Sequence, residues 1–129
     1  MQNHLYLPVL FAVATLSCAP SKKPTAAEIC KKFEEAAIAS GCKAEAPGGL
    51  TSAAKERATF VFPGKDHGGQ VLVFDKPEFL KSTMDAFAAA AVLAGRHQYG
   101  NEKALVFVQL NAATPEDVGA KAKSIVDGL

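Results

Sequence analysis

Two segments of this 129-residue chain carry side chains that could do acid–base or ligand-binding chemistry. Asp66 directly precedes His67 in a glycine-rich segment, and a carboxylate beside an imidazole is a common acid–base pair. A second segment, 96–103, contains Arg96, His97 and Tyr99. A hydrogen-bonded polar loop is the simpler interpretation of each segment, and the sequence does not show whether the two meet. We therefore treat these five residues as candidate ligand contacts and assign none of them a catalytic role.

Several other kinds of site lack their sequence signals. Gly64-Lys65-Asp66 leads into a strand, whereas a phosphate-binding loop opens a helix, and no serine lies in a Gly-x-Ser-x-Gly setting. No group of histidines and cysteines has metal-ligand spacing. The 14 basic and 13 acidic residues give a net charge of +1, which does not suggest nucleic-acid binding. We expect no cofactor, no metal and no nucleic-acid partner.

The chain opens with an apolar run, residues 5–16, that is too short to span a bilayer but has the length of a signal-peptide core. It ends in Thr15-Leu16-Ser17-Cys18, a small residue directly before a cysteine. This stretch, and only this stretch, resembles the signal of small bacterial lipoproteins. The resemblance implies that residues 1–17 are a signal peptide, which is removed, and that Cys18 carries acyl chains such as palmitate.

The same resemblance implies a compartment. Ala19 after the cysteine implies the outer membrane of a bacterial cell envelope, facing the periplasm or the surface. Residues 18–24 would form a polar tether between the lipid and the domain. Secretion after cleavage at Ala14 is one alternative, but it leaves an odd thiol at Cys18. An uncleaved N-terminal helix is the other.

Cys30 and Cys42 remain once Cys18 is lipidated, and an exported protein is expected to pair them in a disulfide. A helix running straight to Ser40 would hold Cys30 about 15 Å from that residue, too far for Cys42 to return. Pairing therefore predicts that the first helix ends near residues 36–37 and that the chain then turns back. A redox or metal pair is the alternative, but eleven residues separate the two cysteines.

Hydrophobic periodicity predicts the elements that would position these residues, in the order α-β-β-α-β-α. Capping signals place helix starts at Thr25 and Pro77, and at Thr114-Pro115 for the last helix. Strands are predicted at 58–62, 70–75 and 104–110, with a weak edge strand at 42–46. The segment 96–103 is expected to be a loop.

The two apolar strand runs on either side of the alanine-rich helix are typical of a βαβ unit, which predicts parallel strands joined by a right-handed crossover. We predict an α+β domain over 25–129, a two- or three-layer α/β sandwich with a small mixed sheet of three to four strands and three helices. One face should hold Leu72, Phe74, Leu105 and Phe107, and the other Val71, Val73, Val106 and Val108. If all helices share one face, the other needs a protein partner or a second copy; if one crosses over, the domain covers itself.

These observations favour a lipid-anchored cell-envelope protein that acts as a binding or structural module. It would bind the membrane through Cys18, and a protein partner or homodimer through an apolar sheet face. The alternative is a small envelope enzyme, or a metal- or ligand-binding protein, that uses His67 or His97 with Asp66. The sequence names no ligand.

Overall fold

The computed structural model describes residues 22–129, which form one five-stranded antiparallel sheet with α-helices on both faces. The elements in chain order are α1 (Ala26–Glu35), β1 (Ser40–Glu45), a 3₁₀ turn (Gly49–Thr51), β2 (Glu56–Val61), β3 (Gly68–Val73), α2 (Pro77–Ala89), α3 (Ala91–Ala94), β4 (Gln98–Asn101), β5 (Val106–Leu110) and α4 (Glu116–Asp127). The strand order across the sheet is β1-β2-β3-β5-β4. The α+β class is as predicted, with five strands and four α-helices instead of three to four strands and three helices.

The predicted parallel βαβ unit is wrong. β3 and β5 are antiparallel neighbours, with Gln70 opposite Gln109. The reason is β4, which lies in the segment expected to be a loop and pairs with the other edge of β5. The helical connection after β3 therefore leads to β4, and β5 is inserted between the two strands.

Helices on both faces cover the apolar strand residues, so the domain covers its own core. α1 and α4 pack on the face of Val71, Val73, Val106 and Val108, around Phe33 and Val126. α2 packs on the face of Leu72, Phe74, Leu105 and Phe107. Both predicted sets of face residues are confirmed.

The first helix begins and ends where the capping pattern and the cysteine argument require. The Thr25 hydroxyl accepts a hydrogen bond from the Glu28 amide, 3.1 Å away. The helix ends at Glu35, and Ala37 adopts a positive φ of 58°. The Phe33 carbonyl accepts from the Ile38 and Ala39 amides, which turns the chain back into β1.

The later helices differ from prediction in detail. α2 begins at Pro77 as predicted but stops at Ala89; the short α3 follows and exposes Val92 and Leu93 almost completely. Thr114 does not cap α4, because its hydroxyl donates to the Asn111 carbonyl and the helix begins at Glu116. Within residues 22–129, no helix is long and apolar enough to cross a membrane.

Candidate functional site

The structure joins Cys30 of α1 to Cys42 of β1 by a disulfide, with their Cα atoms 6.1 Å apart. The turn after Glu35 makes this possible, because it carries the chain back along the helix within a few residues. The predicted pair is therefore at bonding distance. Cys18 and the predicted signal peptide lie outside the described residues.

A cavity of about 600 Å³ lies beside this disulfide, between α1 and the first two strands. We call it the α1–β1 cavity. Its buried lining is small and apolar, with Ala26, Cys30 and Ala58. Its exposed lining includes the charged residues Lys31 and Lys55. The arrangement suits a ligand with an apolar part and a polar end.

Glu34 also lines this cavity, one helical turn after Cys30. Its carboxylate and the two sulfur atoms lie within 4.8 Å of one another, the only such three-residue group among residues 22–129. Thiolates are the metal-binding form of cysteine. The sulfur atoms of Cys30 and Cys42 are bonded to each other, so these three residues offer no thiolate ligand while the disulfide is intact.

A second depression, of about 340 Å³, lies on the α2 face where no helix covers the sheet. Strand register places one polar row there, which crosses all five strands through Lys43, Thr59, Gln70, Gln109 and Gln98. Arg57 stands beside this row on β2. We call the uncovered region formed by Lys43, Arg57, Thr59, Gln70 and Gln109 the open face.

A series of hydrogen bonds links the side chains of the open face, and in each one the donor lies nearer to Arg57 than the acceptor does. Arg57 Nε donates to Gln70 Oε1 at 2.8 Å, and Gln70 Nε2 donates to Gln109 Oε1 at 3.0 Å. Gln109 Nε2 in turn donates to the Ala94 carbonyl at 2.6 Å. Each amide is fixed by the next, so the side chain of Arg57 is held in place by the sheet.

Asp66 and His67, predicted ligand contacts, form a hydrogen-bonded pair in the β2–β3 turn, with 3.1 Å between Asp66 Oδ1 and His67 Nδ1. This hydrogen bond is the main cause that lowers the pKa of the Asp66 carboxyl, which is itself fully exposed. The His67 ring packs edge-on against Phe62, 5.6 Å between centroids. The hydrogen bond to Asp66 and the contact with Phe62 thus orient the His67 imidazole at the domain surface.

His97 and Tyr99 lie on the other side of β5, under α4. His97 is only 4% exposed, and its Nδ1 lies 2.8 Å from the Tyr99 hydroxyl. Its Nε2 is buried without a hydrogen-bond partner among the described residues. Burial raises the pKa of the Tyr99 phenol. Gly119 makes room for both rings, since a Cβ there would lie 2.5 Å from His97 Nδ1.

The structure does not bring the five predicted contacts together. Asp66 and His67 pair with each other, Arg96 makes an ion pair with Glu116, and His97 and Tyr99 form a buried pair. No hydrogen bond or ion pair joins these three groups within residues 22–129.

Sequence reasoning missed the open face. The signal was present in the strands, because Arg57 and Thr59 alternate with buried Ala58 and Phe60. Gln109 likewise interrupts an otherwise apolar strand. Only the register shows that these polar positions are neighbours.

Comparison with known proteins gives no further assignment. No protein-family model, no curated protein and no solved structure matches the chain. We therefore describe the protein by its architecture: a five-stranded antiparallel sheet between helices, with one disulfide and one uncovered polar region.

Proposed function

We propose that the protein is a lipid-anchored binding module of a bacterial cell envelope. One observation carries the proposal: Cys30 and Cys42 pair, which leaves Cys18, of the three cysteines in the chain, at the end of a lipoprotein-like signal. Disulfides are typical of exported proteins, and a leftover cysteine in such a protein needs a role. Attachment of lipid to Cys18 supplies that role.

The position of the α1–β1 cavity supports a binding role near the membrane. The chain enters the domain at Ala26, whose amide donates to Glu56 Oε1 at 3.2 Å. Ala26 and Ala27 line the cavity. A domain tethered through residues 18–24 would thus hold this cavity beside its attachment point. Its volume is within the range of small-molecule sites, about 300–1,000 Å³.

A second candidate function is that of a small envelope enzyme. The Asp66–His67 hydrogen bond favours it, because a carboxylate on Nδ1 orients an imidazole for proton transfer at Nε2. His97 makes no contact with this pair, so His67 is the residue that the alternative requires. Loss of an activity in His67→Asn but not in His97→Asn protein would support it.

A protein partner or a second copy bound to the sheet remains a prediction. The region available for it is the open face, which is polar, with Val61 exposed at its margin.

The anchor is tested by the intact mass of protein purified from the native membrane, compared with Cys18→Ala protein. We expect a chain that begins at Cys18, carries acyl chains and lacks two hydrogens for the disulfide. Cys18→Ala protein should be unacylated and leave the membrane fraction. An unacylated chain beginning at Thr15 would contradict the lipid anchor and favour secretion.

The cavity is tested by identifying small molecules that co-purify with the protein. Ala27→Tyr places a large side chain in the cavity lining, and Ala88→Tyr makes the same change at an exposed position of α2. We expect the bound molecule to be lost in Ala27→Tyr protein and kept in the Ala88→Tyr control. Equal retention in both would show that the cavity is not the binding site.

A further inference from the structure

We propose that the open face is a second binding site, which takes a small oxyanion, a carboxylate or a phosphate group, with Arg57 as its anchor. This inference goes beyond the proposed function, since it depends neither on Cys18 nor on the apolar lining of the α1–β1 cavity. Arg57 and Lys43 line both the cavity and the open face, so the amide signals of Gln70 and Gln109 identify binding at the open face. The inference rests on the position, hydrogen bonding and surroundings of one arginine.

Arg57 differs from every other basic residue of the chain. All 14 Lys and Arg residues lie within residues 22–129, and Arg57 is the one that is half-buried while the rest are exposed. The other arginine, Arg96, makes an ion pair with Glu116. Arg57 makes no ion pair with any residue of the described range. Partial burial of an unpaired charge costs free energy, and a bound anion would offset that cost.

The guanidinium is held by one of its donors and presents the others. Arg57 Nε donates to Gln70, while neither Nη group donates to a protein atom within residues 22–129. Among residues 22–129, His97 Nε2 is the one side-chain N or O atom that is buried without a hydrogen-bond partner. The Nη atoms of Arg57 have no partner in that range either, so they are not buried. The two Nη groups therefore face solvent from a fixed side chain. This planar fork matches the two oxygens of a carboxylate or phosphate.

The surrounding residues indicate the kind of molecule that carries the anion. The residues that line the depression include Lys43, Thr59 and Asn111, whose side chains carry an ammonium, a hydroxyl and an amide. These groups suit hydroxyl or amide groups on the ligand, and more than half of the lining is polar. We therefore expect a hydroxylated or amide-bearing oxyanion of small size.

Two carboxylates face this region. Glu45 lies opposite Arg57 in the β1–β2 register, but its Oε1 pairs with Lys43 Nζ at 3.0 Å. Asp66 lines the other side of the depression and pairs with His67. Glu45 is the carboxylate in register with Arg57, so it is the competitor that we test. Its removal should strengthen anion binding, whereas a purely structural arginine would give no such gain.

The test is titration of the full-length protein at low salt with galacturonate and with inorganic phosphate, by calorimetry and by side-chain amide NMR. Galactose serves as the uncharged counterpart of galacturonate. We expect at least one anion to bind and to shift the Gln70 and Gln109 amide signals, and galactose to do neither. Binding only of galacturonate assigns a carboxylate ligand, and binding only of phosphate assigns a phosphate ligand.

Four variants separate a site from a general charge effect. Arg57→Gln should weaken binding at least about tenfold, as expected for loss of a charge-assisted bidentate contact. Lys81→Gln makes the same charge change at an exposed lysine of α2 that pairs with Asp85, and binding should stay within about twofold. Glu45→Gln should strengthen binding. Arg57→Lys keeps the charge but not the planar fork, so it should also bind weakly.

Arg57→Lys keeps the test decisive if Arg57→Gln fails to fold. The proposal is overturned if neither anion binds, if Lys81→Gln weakens binding as much as Arg57→Gln, or if Arg57→Lys binds like the wild type. None of these results bears on acylation at Cys18, and a failed mass test would not affect the open face.

Discussion

The two faces of the sheet are used differently, and the same strands produce both. On the face under α1 and α4, the inward residues of β3 and β5 that pair across the sheet, such as Val71 and Val108, are buried. On the α2 face, Leu72 and Phe107 are buried, but Gln70 and Gln109, two residues away in each strand, form a polar row outside the helix. In β3 and β5, one face is core throughout, and the other is half core and half accessible.

The difference shows how a small domain can keep stability and recognition apart. The closed face supplies a continuous apolar cluster, so the other face needs only one helix to complete the core. The polar side chains that no helix covers form hydrogen bonds with one another across the strands. Changes at such positions should affect binding, whereas changes at the fully buried positions under α1 and α4 should affect folding.

The largest difference in stability is expected between two substitutions, one on each face of the sheet. Phe33→Ala removes a fully buried ring that packs 5.6 Å from Phe60, and it should lower the free energy of unfolding by about 3–5 kcal/mol. Thr59→Ala on the open face should change it by less than about 0.5 kcal/mol. Urea unfolding followed by circular dichroism measures both. Similar losses in the two proteins would contradict the division.

The disulfide should have the next largest effect. Replacing both cysteines, Cys30→Ala with Cys42→Ala, should lower the free energy of unfolding by about 3 kcal/mol in the chain-entropy model, since the bond closes a loop between residues twelve apart. Oxyanion binding by the folded variant should be unchanged, because neither cysteine lines the open face. Wild-type protein unfolded under reducing conditions is the control. Loss of binding together with stability would show that the faces are coupled.

A smaller effect is expected from Gly119→Ala in α4. Glycine to alanine in a helix ordinarily stabilises by about 1 kcal/mol. Here the new Cβ would lie 2.5 Å from His97 Nδ1 and 2.7 Å from the Tyr99 hydroxyl, so we expect a loss of about 1–2 kcal/mol. Gly128→Ala is the matched control, because its nearest contact would be 3.4 Å. A stabilised Gly119→Ala protein would mean that His97 and Tyr99 are not packed against this helix.

The smallest effect concerns pH. Burial raises the pKa of Tyr99 above the value of about 10 expected in the unfolded chain. The contribution of this group to stability is therefore complete below about pH 10 and is lost as the pH rises through the folded-state pKa. Phenolate absorbance of Tyr6→Phe protein, in which Tyr99 is the only tyrosine, should titrate at higher pH when folded than in denaturant. Coincident curves would place Tyr99 in solvent.

Much of the fold could be predicted from the sequence because its signals are periodic. Alternation in β3 and β5 placed Leu72 and Val71 on opposite faces, and capping residues located the starts of α1 and α2. β4 could not be predicted in this way, because Gly100 and Asn101 have low strand propensity. Because β4 was not predicted, β5 was expected to be parallel to β3, whereas the two strands are antiparallel.

The candidate sites were less accessible to sequence reasoning, because they depend on which residues become neighbours. His97 lies directly before β4, and the position of that strand places its ring beneath α4 next to Tyr99. Arg57 gave no motif, and its partner Gln70 is thirteen residues away on the next strand. The Cys30–Cys42 pair was an exception, since chain geometry alone limits where the helix must end.

The attachment of α1 also has a mechanical consequence. The helix is fixed to the sheet near its start, by the Ala26 amide on Glu56 and by the covalent link from Cys30 to β1. A pulling force applied to the chain before residue 22 could unwind only residues 26–29 before the disulfide carried the load. The domain is therefore built to withstand tension from its N-terminal side, and reduction of one bond would remove that resistance.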